Sequence, residues 1–386
     1  MGRMNNKKML TAFAVAAMFL CTGGARWMFW TIGVMHAHAA YHFGSFLGKP
    51  PIHIFRSAAK DPAGVTPAEI KRIYNLPSSG GQGTIAIIDA YDDANIESDL
   101  AVFDGRYGLA VCTVRNGCLE KHKMASSTAA NSGWALETSL DVEWAHAIAP
   151  QAKILLIEAK TPSGSNLLDG IDYAASRKDV VAVSISWGGP EFPEETSLDA
   201  HFSGASHAVF FAASGDEGAG VEWPAASPQV VGVGGTSLEL FKEGTFISES
   251  AWSGSGGGVS KYEPEPDYQR AYNIPKAGGH RAVPDVAYNA DPKSGYVVYK
   301  AGASPKTGGW YTVGGTSAGA PQWAAIQALG LSVSLPKLYA DKALATTLQF
   351  FRDITSGANG TCKYYCDARA RYDYVTGLGV PRTAAF

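Results

Sequence analysis

Short, unbroken apolar runs constrain this chain more than any other feature. TIAIIDA (Thr84–Ala90), AKILLIE (Ala152–Glu158), VVAVSIS (Val180–Ser186), AVFFAA (Ala208–Ala213) and Val230–Val233 lack the apolar–polar alternation of a strand with one wet face. Runs this short and apolar suit strands buried on both sides, as in a parallel sheet covered on both faces. Helical patterns lie between them: Ser132–Ile148, stopped by Pro150, and Ser165–Ala175. Strand–helix–strand alternation over about 250 residues predicts one α/β domain with a mostly parallel central sheet. Ligands of such sheets bind beyond the carboxyl ends of the strands.

The rest of the chain narrows the setting. Charged residues make up only 17% of 386 residues, and the net charge is −3 with no basic block beyond the N-terminus, which argues against nucleic acid as a partner. At the N-terminus Arg3, Lys7 and Lys8 precede an apolar run, Met9–Phe19. A second run, Trp27–Met35, leads to Ala37-His38-Ala39, a small-x-small pattern. Residues 1–39 therefore read as a signal peptide, or as an anchor if uncleaved, which is the one route to a membrane. Their removal takes away Arg3, Lys7, Lys8 and Arg26 and no acid, so the charge becomes −7. Residues 40–65 read as an irregular linker or propeptide remnant. An exported chain lives in an oxidising, extracellular or periplasmic compartment, and its cysteines agree. Cys112 and Cys118 close one short loop, Cys362 and Cys366 another. Three pairings are open and proximity favours 112–118 with 362–366; the spacings do not match a zinc knuckle.

The pentapeptide VGGTS occurs twice, at Val233–Ser237 and Val313–Ser317. After Ser317 come small residues, Pro321 and an apolar helical run, so this serine sits near the start of a buried helix. Free N–H groups and the positive end of the helix dipole suit a nucleophile there, as they also suit an ordinary N-cap. Ser237 is followed by a short alternating stretch, and its glycines are expected to end a strand in a turn. Glu137 and Asp141 stand at i and i+4 on the Ser132–Ile148 helix among Trp134, Leu136, Leu140 and Trp144. Two carboxylates on one apolar face repel when both are ionised, so they read as a proton-sharing pair, unless that face is solvated. Asp216, in AASGDEGAG, lies at the carboxyl end of a buried strand, as a turn residue or as an acid that donates a hydrogen bond while protonated. None of the nine histidines stands in an HGT context, and His146 reads as structural.

Taken together, GWALETSLDVEWAHAIAP, SISWGGPE, AASGDEGAG, VEWPAASP, VGVGGTSL and GGTSAGAP resemble, in this order, the sedolisins, or serine-carboxyl peptidases. The match runs from about Thr66 to Pro381 and marks residues 66–386 as the peptidase domain. The resemblance implies a subtilisin-like fold, with Ser317 as nucleophile, Glu137 as base, Asp141 as its partner and Asp216 as the oxyanion-hole acid. It implies that Asp89 and Trp187 extend the carboxylate network; Asp89 also looks like a subtilisin aspartate, but lacks a matching histidine. It further implies one structural calcium ion held near Asp353, Ile354, Arg369, Arg371 and Asp373. Arg369 and Arg371 depart from the family's glycines, bringing positive charge and Cβ atoms to that loop. A second departure is that only about 25 residues separate Ala39 from the family-like region, where sedolisins commonly carry a folded prodomain. The expected protein is a monomeric, secreted endopeptidase that works in acid on proteins or peptides. Its rivals are a Ser-His-Asp peptidase using His146 and an inactive binding protein on the same scaffold. Cleavage preference depends on loops such as Ser253–Ser260, whose shape the sequence leaves open.

Overall fold

Every residue of the strand Thr84–Ala90 is buried, and its neighbours explain why. In a strand successive side chains point to opposite faces. Ile85 and Ile87 join one apolar cluster with Leu136, Leu140 and Trp144 of the Ser132–Ile148 helix. Ala86 and Ile88 join another with Leu167, Leu168 and Ile171 of the Gly164–Ser176 helix. Both faces are therefore covered. The same parity sends Asp89 toward the Ser132–Ile148 side.

The computed structural model describes residues 42–126, 129–203, 208–302, 308–340 and 350–382. The main sheet has eight strands, in the order Phe246–Ala251, Val230–Leu240, Val209–Ala213, Val180–Ile185, Thr84–Ala90, Lys153–Ala159 and Leu119–Lys123, with Val286–Asn289 also pairing Val230–Leu240. All these pairings are parallel except that of Phe246–Ala251. The five expected runs are all strands, and the helix Ser132–Ile148 has the expected bounds. Both short disulfides form, Cys112–Cys118 and Cys362–Cys366. The 1–39 segment lies outside the described residues. Among the described residues no helix is long and apolar enough to cross a membrane.

Two expectations are corrected. The first VGGTS does not end a strand: Val230–Leu240 runs straight through it. Its glycines serve close packing, since a Cβ on Gly234 would meet Pro284 at 2.7 Å and one on Gly235 would meet Trp252 at 2.8 Å. The stretch from residue 42 is also not irregular. His53–Ala59 forms a strand, antiparallel to Gly309–Gly314, in a three-stranded sheet with Tyr296–Lys300. Main-chain pairing supplies what its unremarkable pattern does not.

A knot of buried acids forms elsewhere in the sequence. Glu191, Glu195 and Glu263 are each at most 9% exposed. Glu195 accepts from Phe192 N, whereas neither oxygen of Glu263 finds a donor. Burial, together with neighbouring carboxyls, pushes Glu195 up to about 9 and Glu263 up to about 8. The folded chain thus keeps protons that the unfolded chain releases. That stability is whole below the ordinary Glu value of roughly 4.3. It is lost as pH rises toward the folded values. Melting temperature should therefore drop by more than about 5 °C between pH 5 and pH 9, as a calorimetric series at fixed ionic strength would show. The double variant Glu195→Gln/Glu263→Gln should flatten that dependence.

Candidate active site

The Ser132–Ile148 helix starts at Asn131, whose side chain accepts from Gly133 N and Trp134 N. That cap fixes which residues face the sheet. Glu137 and Asp141, one turn apart, are both fully buried, and so is Asp89 at the end of its strand. Serine and threonine hydroxyls are the side-chain donors near these acids, and no lysine or arginine reaches them. Burial comes first among the causes that raise all three; each also feels at least one other carboxyl. Asp89 is pushed up to about 7 despite the Thr138 hydroxyl, which acts the other way. For Glu137 the opposing group is the Ser317 hydroxyl, and for Asp141 it is Ser186. Three acids without a cation are tolerable in an apolar site only if protons are shared among them.

Ser317 belongs to a tight turn, Thr316–Ala318, which runs into the helix Gly319–Ile326. Gly315 precedes it at φ 127°, a region that disfavours side chains, and a Cβ there would meet Pro51 O at 2.0 Å and Asp216 Oδ2 at 2.5 Å. Asp216 is tied to the same turn: its Oδ1 accepts from Thr316 N and Thr316 Oγ1, each at 2.8 Å. Burial raises the Asp216 pKa, while His53 and Thr316 hold it back. The structure thus brings Ser317, Glu137, Asp141, Asp89 and Asp216 to the carboxyl ends of the strands.

Ser186 is a site residue that sequence reasoning missed. Its hydroxyl donates to Asp141 Oδ1 at 2.9 Å and reaches Ser317 O at 3.2 Å. Its one sequence signal is its place directly after the strand Val180–Ile185. His53 was also missed, and no local pattern marks it. Its Nε2 lies 3.0 Å from Asp216 Oδ2. Trp187 is buried as expected, but its indole N–H donates to the carbonyl of Ile88 rather than to the Asp89 carboxyl. His146 faces elsewhere, with Nε2 2.8 Å from Ala110 O and 3.5 Å from Asp104, and burial lowers its pKa. Neither contact offers it to Ser317 as a base.

The cleft is lined by the chain itself. Gly48 N donates to Pro162 O, and Lys49 and Gly188 exchange N–H···O bonds at 3.0 and 3.1 Å. Phe46 packs against Trp187, Phe192 and Trp223. Ser317 N donates to Pro51 O at 3.4 Å.

The residues expected to hold calcium also meet. Asp353 Oδ2 accepts from Arg371 N, while Asp353 Oδ1 is a buried oxygen without a partner. Asp373 accepts from Arg369 N, Val375 N, Thr376 N and Thr376 Oγ1. Arg371 takes φ 69°, a conformation glycine normally supplies. The Arg369 guanidinium lies 4.2 Å over the Tyr364 ring and 3.8 Å from Asp367. Hard oxygens, one of them orphaned, fit a hard cation, and Arg369 has partners of its own.

A profile of the subtilase family matches residues 122–352. The chain belongs to that family. Within it the similarities lie with the sedolisins. Kumamolisin of Bacillus sp. (strain MN-32) is 34% identical over 368 residues, covering 84% of this chain. Sedolisin of Pseudomonas sp. (strain 101) is 27% identical over 370 residues, again covering 84%. The chain spans 63% and 62% of the length of these two relatives. The solved structure of Pseudomonas sedolisin, a serine-carboxyl proteinase in complex with pseudo-iodotyrostatin, superposes with a TM-score of 0.71 at 26% identity, over 84% of this chain and 97% of that one.

Ser186→Ala should expose the dependence of Asp141 on the hydroxyl that donates to it. Leaving Asp141 Oδ1 buried without that donor costs about 1–3 kcal/mol, read as a lower melting temperature. A carboxyl carbon-13 titration should show Asp141 shifted to still higher pH.

Proposed function

We propose that this chain is a secreted serine-carboxyl endopeptidase that hydrolyses proteins or peptides in acid. The observation that carries the reading is the convergence of Ser317, Glu137, Asp141 and Asp216 on one spot, with no lysine, arginine or histidine in contact with Glu137 or Asp141. A substrate takes the course of residues 46–53, pairing with the edge at Gly188 as an added strand. Ser317 Oγ attacks the scissile carbonyl carbon and Glu137 accepts the hydroxyl proton. Asp141 and Asp89 share the charge that Glu137 carries and loses. The oxyanion is held by the Ser317 N–H and by the protonated carboxyl of Asp216. Collapse expels the amine, which takes the proton from Glu137, and leaves an acyl-enzyme. Water then attacks, with Glu137 again as base, and Ser317 is freed.

The pH dependence follows from this chemistry. Asp216 must hold its proton to donate, so activity falls as pH rises through its deprotonation. Casein digestion should be strong at about pH 4, near the carboxyl reference values, absent at pH 9, and blocked by a serine-directed peptide aldehyde. Ser317→Ala should lower the rate roughly 10³-fold or more. Ser237→Ala should leave it near wild type, because that hydroxyl is bound to Asp291 Oδ2 on a strand. Full activity at pH 9, or activity in Ser317→Ala, would overturn the reading.

A calcium ion is proposed at Asp353 and Asp373 with the carbonyls of Ile354, Arg369 and Arg371. When bound it would clamp two segments of the C-terminal loop and take no part in the chemistry. A ligand at 100 times its dissociation constant stabilises by about 2.7 kcal/mol. Chelator treatment should accordingly lower the melting temperature by several degrees, and added calcium should restore it.

A further inference from the structure

His53 lies on the one oxygen that the proposed chemistry needs free. Asp216 Oδ1 is taken by both Thr316 donors, so Oδ2 is the oxygen left to carry a proton toward an oxyanion. His53 Nε2 sits 3.0 Å from it. Pro51 O and Asp216 Oδ2 both border the space at Gly315, so the imidazole, the carboxyl and the carbonyl lie side by side. The His53 ring also stands edge-on to Trp252, 5.9 Å between centroids. Upstream the segment is held by main-chain bonds at Gly48 and Lys49; downstream it runs into the strand His53–Ala59. His53 is thus a side-chain fastening at the downstream end of the covering segment 46–53, as Phe46 is at its upstream end.

We propose that His53 is an acid-released latch: paired with Asp216, it holds residues 46–53 over Ser317 and keeps the oxyanion carboxyl engaged, and acid undoes the pair. The inference rests on the role proposed for Asp216. The pair attracts only while the imidazole is protonated and the carboxyl is not. His53 is raised above its ordinary value, chiefly by Asp216 and also by Glu217, against partial burial. Asp216 is raised by burial. Glu137 and Glu222 also face Asp216, and Lys49 acts on Glu222. The window for the pair therefore lies between the two titrations. As pH falls through that of Asp216, the carboxyl gains its proton and the ion pair is lost. Acid then loosens the cover and arms the oxyanion hole in one step.

The test uses the full chain carrying Ser317→Ala, so that nothing is cleaved. Hydrogen-exchange protection factors of residues 46–59, corrected for intrinsic rates, are compared at pH 6.5 and pH 3.5. The latch predicts a drop of ten-fold or more on acidification. With His53→Gln added, protection should be low at both values, and with Asp216→Asn it should lose its pH dependence. Far-UV circular dichroism and melting confirm that each variant is folded; His53 is half exposed, so its replacement spares the core. Protection that does not change with pH, or that His53→Gln leaves intact, overturns the latch. The readout needs no catalysis. A chain inactive in acid whose cover still responds through His53 would sink the peptidase reading alone. An active acid peptidase with an indifferent cover would sink the latch alone.

Discussion

Glu137 on the Ser132–Ile148 helix has no cation to face, and the surrounding site is organised around that fact. A buried carboxylate normally finds an arginine, a lysine or a metal. Here its neighbours are Asp89, Asp141, Asp216 and the Ser317 hydroxyl. The tolerable state is one with fewer charges than carboxyls, in which protons take the place of counter-ions. That condition favours shared protons at a pH where a free carboxyl would be ionised. It also accounts for the precision around the site: the Asn131 cap, the Ser186 hydroxyl and the parity of Thr84–Ala90 each keep a carboxyl where a proton can pass.

The knot at Glu191, Glu195 and Glu263 repeats the theme in another part of the fold. Burial raises those acids without any evident role in catalysis. The acid condition proposed for the chemistry would thus also favour the fold. By contrast Arg281 is fully buried but forked onto Asp285, with contacts at 2.8 and 2.5 Å, so that there a guanidinium rather than a proton meets the carboxyl.

Much of this is legible in the sequence, for identifiable reasons. Buried strands announce themselves because both faces must be apolar, and the i, i+4 spacing of Glu137 and Asp141 puts them on one helix face by the pitch of the helix alone. What cannot be read depends on contacts distant in sequence. His53 meets Asp216 across more than 150 residues, and the Ser186 hydroxyl meets Asp141 across 45. Trp187 shows the same limit at short range: its burial is foreseeable, but the choice between the Ile88 carbonyl and the neighbouring Asp89 carboxyl is a matter of ångströms. The repeated pentapeptide misleads at its first copy because glycine signals a turn and a close approach with the same letter. Packing against Pro284 and Trp252 decides for the second meaning.

The strand His53–Ala59 also bears on how the chain comes together in time. Its partner, Gly309–Gly314, is made some 250 residues later and leads within three residues to Ser317. A chain emerging N-terminus first holds the covering strand unpaired through most of synthesis, because nothing else among the described residues offers its backbone a ladder. The event that finally pairs it is the arrival of the segment bearing the serine. Ser317 and its cover are thus seated together, and a newly made molecule has that hydroxyl roofed from the moment it takes its place.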